Sequence, residues 1–293
     1  MTNSTRPPAR FPLGLDQVHG LPGARPAAKP GSKLSSGASG TSGTSVTPAA
    51  MLRPQRPLQQ AALDAARRHA PSGLGMDSMA VRMRMVDRLR VGGVRCEPVL
   101  QAFAGVERHL FVDTALATQA YEDTSLPIGL QQTISKPSVV ACMLALLFEG
   151  AHARAQGQLG RVLEIGTGCG YQTALLARLG RSVVSIERLK SLHDKARDNL
   201  AAHRQGDVRL VFGDGRLGHA PRAPYHSIIS AAGGEDLPAA WLDQLAEGGR
   251  LIAPSASPVS GGQALLVVDR TDQGLTRSWH DAVHFVPLKF GTQ

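Results

Sequence analysis

The stretch Val162-Leu163-Glu164-Ile165-Gly166-Thr167-Gly168-Cys169-Gly170-Tyr171 constrains this chain more than any other. A short apolar run, Arg161–Ile165, enters a turn with glycine at alternate positions, and a helical pattern, Tyr171–Leu179, leaves it. Glycine permits the tight turn and lets a ligand approach the backbone closely. The rhythm then repeats. Apolar runs at 182–186, 208–212, 227–230 and 250–253 alternate with helical stretches at 189–203 and 237–245. Such alternation predicts a parallel sheet with helices on both faces. Two last runs, 263–269 and 280–287, have no helical segment between them and are expected to pair antiparallel at one edge.

Upstream of the glycine turn the pattern is helical. Met79, Val81, Met83, Val86, Leu89 and Val91 space out along one or two faces, and Gly92-Gly93 ends that helix. Helical stretches are expected over 98–103 and 109–118, a loop over 121–135, and a helix from about Pro137, a favoured first-turn position.

The turn reads G-x-G-x-G, because Tyr171 occupies the place of the third glycine in a dinucleotide fingerprint. A nicotinamide enzyme is thereby disfavoured. Glu164 would repel a pyrophosphate but suits a ligand amino group, such as that of the methionine moiety of S-adenosyl-L-methionine. Glu187 lies at the tip of the second strand, 17 residues beyond Gly170, where an acid can accept both ribose hydroxyls. At the end of the third strand, Gly213-Asp214-Gly215 places a carboxylate within reach of an adenine amino group. Singly these signals are ambiguous: glycine turns are common, and Glu187 alone reads equally as a surface charge. In order and at strand ends, they predict adenosylmethionine binding by Glu164, Gly166, Thr167, Gly168, Cys169, Gly170, Glu187, Asp214 and Gly215. The expected fold is α/β, a doubly wound, seven-stranded, Rossmann-like class I methyltransferase sheet behind an N-terminal helical segment and a disordered leader.

The sequence resembles the protein-L-isoaspartate O-methyltransferases. Leu126-Pro127-Ile128-Gly129-Leu130-Gln131-Gln132-Thr133-Ile134-Ser135-Lys136-Pro137 is similar to the family's active-site segment ahead of the sheet. Later blocks match as well: Tyr171-Gln172-Thr173, Ser185-Ile186-Glu187-Arg188, Ala223-Pro224-Tyr225, Gly248-Gly249-Arg250-Leu251, Gln263 and Phe285-Val286-Pro287-Leu288. The resemblance runs over about residues 80–290. It implies methylation of the α-carboxyl of L-isoaspartyl residues in damaged proteins and peptides, giving an ester that collapses to succinimide and partly reopens as aspartate. It also implies that Ser135 is the active-site position, with Gln132, Thr133 and Ile134 lining the same pocket.

That chemistry asks little of a base. A carboxylate of pKa ~3.5–4 is ionised at neutral pH. What remains is to hold one oxygen in line with the sulfonium methyl, within roughly 3–3.5 Å. A serine hydroxyl and backbone N–H groups can orient a carboxylate without quenching it as a tight Arg pair would. Ser135 reads alternatively as a helix N-cap ahead of Pro137. Two residues depart from the family pattern. Cys169 stands where Ser is common and puts a thiol beside the cofactor. His226 replaces an Asp expected to anchor the start of the fourth strand, and reads as a local strand-edge substitution.

The chain's formal net charge of +9 is unevenly placed. Residues 1–75 hold nine basic against two acidic side chains, with 10 of the 19 prolines and 9 glycines. Such a segment cannot bury enough apolar surface to offset its ordering entropy, so a disordered extension is expected. It has no apolar run near its start of the kind a secretory signal needs. Met51 and Met76 are alternative initiators, and a nucleic-acid or membrane-surface arm is the competing reading of this segment. Residues 76–293 are nearly neutral and are expected to form one methyltransferase domain, with 76–150 covering the substrate and 151–293 binding the cofactor.

Other classes fit less well. Amino-methylating nucleic-acid enzymes carry Asn/Asp-Pro-Pro-aromatic after the fourth strand, where this chain has Ser230-Ala231-Ala232-Gly233. A metal-dependent methyltransferase would need carboxylates there. A non-catalytic cofactor-binding module is opposed by the intact Ser135 segment. The expectation is a cytoplasmic monomer with reduced cysteines, no metal, no membrane span, and nucleic-acid contact confined to 1–75.

Overall fold

The computed structural model describes residues 79–201, 206–257 and 262–293. The expected leader, residues 76–78 and the end of the helix at 202–203 lie outside the described residues.

Helix α1 (Met79–Val91) ends where Gly92 and Gly93 break the pattern, Gly93 at φ 105°. Helix α2 (Glu97–Gly105) and two 3₁₀ turns (Arg108–Phe111 and Thr114–Gln119) follow, then a hairpin of β1 (Leu126–Gly129) and β2 (Gln132–Ile134). After α3 (Pro137–Phe148) and the short α4 (Ala151–Gln156) the alternating part begins. Its elements are β3 (Arg161–Ile165), α5 (Tyr171–Leu179), β4 (Ser182–Glu187), α6 (Lys190–Ala201), β5 (Asp207–Phe212), β6 (Tyr225–Ser230), α7 (Ala239–Asp243), β7 (Leu245–Ala256), β8 (Gln263–Thr271) and β9 (Gly274–Ala282).

The main sheet has the order β5-β4-β3-β6-β7-β8-β9. The first five strands are parallel, and β8 and β9 add antiparallel at the edge. The chain winds outward from β3 through β4 and β5, then returns to the other side of β3 with β6. That reversal leaves a crevice beyond the carboxyl ends of β3 and β6, where open α/β sheets bind ligands.

Pleating assigns each β3 side chain to a face. Val162 packs with α3 and α5 on one face, while Leu163 and Ile165 pack with Trp241, Leu245 and Leu251 on the other. Glu164 shares the parity of Val162 and so points toward α5. Where the sheet turns antiparallel, Arg250 on β7 makes a two-pronged ion pair with Asp269 on β8 (2.7 and 2.8 Å) and donates to the Leu146 carbonyl of α3 at 2.8 Å.

Four local expectations change. The loop expected over 121–135 contains the β1–β2 hairpin, whose turn residues Leu130 and Gln131 have φ 51° and 59°. Two-residue turns of this hand favour Asn-Gly, so the signal was missing. The stretch 109–118 is two 3₁₀ turns, and the helix expected over 237–245 is only Ala239–Asp243 because Leu245 already opens β7. The last strand is Gly274–Ala282, not 280–287. All nine of its residues are exposed, so it has no apolar signature, while the apolar run 283–287 packs irregularly at the site.

Candidate active site

The glycine turn sits at the carboxyl end of β3, with Gly166, Gly168 and Gly170 at φ 87°, 57° and 92°. L-residues resist these angles, and a Cβ on Gly170 would also come within 3.1 Å of Leu200. The turn is fixed by Glu187, which is buried at the tip of β4. One Glu187 oxygen accepts the Gly168 N–H at 2.9 Å and the other accepts the Leu189 N–H at 2.9 Å. A carboxylate oxygen has a second lone pair, so Glu187 can still accept hydroxyl donors from the cavity it lines.

That first chamber has a volume of about 240 Å³. Its walls are the hairpin (Ile128, Gln131, Gln132, Thr133), Ser135, the turn (Gly166, Gly168), Glu187 to Leu189, Gly215, Ala231 and Ala232, and residues 286–289. A second chamber of about 570 Å³ shares Thr133, Ser135, Ala231 and Val286 with it and is further lined by Lys136, His284 and Phe285. Ser135 therefore stands at the junction. A larger groove of about 940 Å³ between α1, α3 and the end of β9 touches the second chamber only through Val139, Ala282 and Val283.

Of the residues expected at the site, Gln132, Thr133, Ser135, Gly166, Gly168, Glu187 and Gly215 line the first chamber. Ile134, Glu164, Thr167, Cys169, Gly170 and Asp214 do not. Glu164 is fully buried beneath the turn, where its oxygens accept from Gln172 Nε2 at 3.0 Å and Thr173 Oγ1 at 2.5 Å. Burial raises its pKa to about 7 against the pull of the Thr173, Ser185 and Gln172 hydrogen bonds. Thr167 bonds Ser185 at 2.6 Å. The Cys169 thiol is buried, and that burial raises its pKa, which favours the neutral form over the thiolate.

Ser135 is not the N-cap of α3. Lys136 holds that position without a side-chain bond. The capping is done from a distance by Asp123, which accepts the Ser138 N–H and Oγ–H, each at 2.8 Å. Among the described residues, none is hydrogen-bonded to the Ser135 hydroxyl, while the Ser135 carbonyl accepts from Arg108 at 2.9 Å. At the opposite end of the sheet, His226 Nδ1 accepts the Arg161 N–H at 3.0 Å. The ring nitrogen thus ties β6 to the start of β3, an acceptor role a carboxylate could also fill. His226 stacks on His152, ring centroids 3.8 Å apart.

The far wall has no counterpart among the expected site residues. Residues 286–293 run across the strand ends as a strap. Gln263 Oε1 accepts the Phe285 N–H at 2.8 Å, and Gly233 bonds Val286 and Leu288 through its backbone. Beyond, Asp214 accepts the Gly291 N–H at 2.7 Å, Arg188 donates to the Gly291 carbonyl at 3.0 Å, and the Arg216 guanidinium carbon lies 3.8 Å from the Phe290 ring centre.

Residues 80–293 match the family model described as protein-L-isoaspartate(D-aspartate) O-methyltransferase. The chain is 56% identical over 293 residues, all of both chains, to the protein-L-isoaspartate O-methyltransferase of Methylibium petroleiphilum. It is 58% identical to that of Leptothrix cholodnii over 82% of this chain and 84% of the relative. A solved protein-L-isoaspartate O-methyltransferase superposes with a TM-score of 0.63 at 28% identity, covering 71% of this chain and 66% of the other. A second, a putative Plasmodium falciparum enzyme in complex with S-adenosyl-L-homocysteine, has a TM-score of 0.61 at 22% identity, over 71% of this chain and 98% of the other, and supports the fold.

Proposed function

The chain belongs to the protein-L-isoaspartate(D-aspartate) O-methyltransferase family, and from that premise we propose how its residues share the work. It transfers methyl from S-adenosyl-L-methionine to the α-carboxyl of L-isoaspartyl residues in damaged proteins and peptides. The observation that carries the division of labour is Ser135, shared by the two chambers.

We assign the first chamber to the cofactor and the second to the damaged peptide. The fit of the first rests on the chamber's own shape. Gly168 lies against Ile128 so closely that an added Cβ would come within 3.3 Å of it, and a Cβ on Gly215 would come within 2.6 Å of Ile165. A side chain at either position would crowd the apolar wall of the chamber, since Ile128 and Ile165 both line it. Glu187 would hold the ribose hydroxyls and the glycine turn the methionine portion. Asp214 faces the adenine end only if it exchanges its bond to Gly291. Bound there, S-adenosyl-L-methionine supplies an electrophilic sulfonium methyl.

The protein then has three tasks. Ser135 donates its hydroxyl to one oxygen of the isoaspartyl carboxylate and leaves the other free to react. No side chain need accept a proton, since the carboxylate is already ionised. The apolar walls, Ile128, Ile165, Ala231 and Val286, exclude water from a reaction in which a cation and an anion disappear together. Glu164 serves beneath the turn as a clasp on α5.

We place the enzyme in the cytoplasm as a monomer. Its three cysteines are free, and no helix among the described residues is long and apolar enough to cross a membrane. Residues 1–75 are proposed to be a dispensable extension, with any nucleic-acid contact confined to them.

The test is a matched pair of peptides, one isoaspartyl and one aspartyl, incubated with radiolabelled methyl donor. Label is expected in the isoaspartyl peptide alone; equal labelling, or none, overturns the reading. The same assay on a chain lacking residues 1–75 is expected to give unchanged rates.

A further inference from the structure

Arg108 is buried completely, yet no carboxylate lies within ion-pair distance of it among the described residues. Removing a charge from water is unfavourable unless it is paired at close range, and Asp123 acts on Arg108 only through space. The guanidinium is instead held by carbonyls from two segments: Nε donates to Ala120 at 2.7 Å and Nη2 to Thr124 at 3.4 Å, both in the loop ahead of β1, and Nη2 also donates to Ser135, just after β2, at 2.9 Å. Its plane also approaches Tyr171, the residue that leaves the glycine turn, with 4.9 Å between the guanidinium carbon and the ring centre.

The Ser135 carbonyl is the informative partner. The first turn of α3 uses the Lys136 carbonyl, which accepts the Val140 N–H at 3.2 Å. The Ser135 carbonyl therefore stands outside the helix and needs a donor from elsewhere. Arg108 supplies that donor from the interior. Fixing this carbonyl fixes the peptide plane between Ser135 and Lys136, and with it the direction in which the Ser135 side chain leaves the backbone. The same guanidinium rests on Tyr171, so the hairpin wall and the glycine wall are referenced to one rigid group.

We propose that Arg108 is a positioning residue for methyl transfer, setting the Ser135 hydroxyl at the junction of the two chambers. The proposal rests on Ser135 being the group that orients the carboxylate. Arg108→Lys keeps the charge but loses the planar fork, so one ammonium cannot serve carbonyls on two sides.

The experiment is a double-mutant cycle between Arg108→Lys and Ser135→Ala on the full chain. S-adenosyl-L-homocysteine affinity is measured alongside to establish that each variant retains its cofactor chamber. Arg108→Lys is expected to lower kcat by about tenfold or more in the wild-type background, and by less than about twofold when Ser135 is already Ala. Arg108→Gln, run in parallel, is expected to behave the same way and decides the matter if the lysine variant is unstable. A wild-type kcat in the Arg108 variants, or an equal loss in both backgrounds, overturns the proposal, because a purely structural role weakens both equally. Failure of the Ser135 reading looks different: Ser135→Ala alone would then retain full kcat.

Discussion

The carboxylate of Asp214, at the end of β5, accepts the backbone N–H of Gly291 at 2.7 Å across 77 residues of chain. Its other oxygen accepts the Arg216 N–H at 2.9 Å. The strap is thereby fastened to the end of β5, beside the first chamber, which Gly215 lines. Residues 286–289 wall that chamber, of about 240 Å³, so the strap that continues from them is expected to retard cofactor exchange. Deleting residues 290–293 removes the Asp214, Arg188 and Phe290 contacts. At about 1 kcal/mol net for each lost hydrogen bond, S-adenosyl-L-homocysteine is expected to dissociate about tenfold faster or more. Stopped-flow displacement measures this, and an unchanged dissociation rate counts against the strap as a barrier.

On the assignment proposed above, Ser135→Ala removes one hydrogen bond to the substrate carboxylate, about 1.5–3 kcal/mol. A kcat roughly 10- to 100-fold lower is expected, with cofactor affinity unchanged. Steady-state kinetics with an isoaspartyl peptide, paired with calorimetric titration of S-adenosyl-L-homocysteine, separates the two quantities. A loss confined to cofactor affinity would reassign the residue.

Glu164 has a folded pKa of about 7 against an ordinary value of 4.5. Between those values the folded chain binds a proton that the unfolded chain has released, so this group's contribution falls as pH rises through the window. Glu164→Gln removes that dependence and keeps an acceptor for Thr173. The variant is expected to gain stability relative to wild type on going from about pH 5 to about pH 8. The gain is a few kcal/mol at most, since one proton bound across one pH unit is worth about 1.4 kcal/mol. Urea unfolding at both pH values checks the sign. A parallel response of the two proteins contradicts it.

His226 moves the opposite way. Burial foremost, then His152, Arg161 and Arg181, lowers its pKa from 6.5 to about 4. The unfolded imidazole takes up a proton as pH falls through 6.5 while the folded one does not, so stability is lost between 6.5 and about 4. His226→Asn retains an acceptor for the Arg161 N–H without titrating. It is expected to show a shallower acid decline in thermal midpoint than wild type; an identical decline would exclude His226 as a source.

The alternating part of the fold was legible because its periodicity is written in side chains: β3, β4 and β6 are apolar runs, and the turns between them carry glycine. The orientation of Glu164 was not. Its proximity to the turn suggests ligand contact, but the pleat sends it with Val162 toward α5, a fact visible only once β3 is placed in the sheet. The hairpin was hidden because Leu130 and Gln131 occupy left-handed positions without the residues that advertise them. The strap was hidden for a different reason. Gly291 and Gln293 engage the sheet through backbone atoms, which leave no compositional trace, and Phe290 adds only one ring against Arg216.

Val286 lines both chambers, and the chain that continues from it walls the first and is then fastened to Asp214. A peptide seated in the second chamber, as proposed, would rest against Val286 and pin the segment that walls the first. We expect compulsory-order turnover: donor on first, spent donor off last, and no departure while a damaged chain is docked. Excess peptide would then bind after methyl transfer and stall the enzyme in a dead-end ternary complex, seen as substrate inhibition that more donor does not relieve. Random-order product-inhibition patterns would contradict this sequence. In a cell crowded with aged protein, throughput would be set by how fast methylated chains leave.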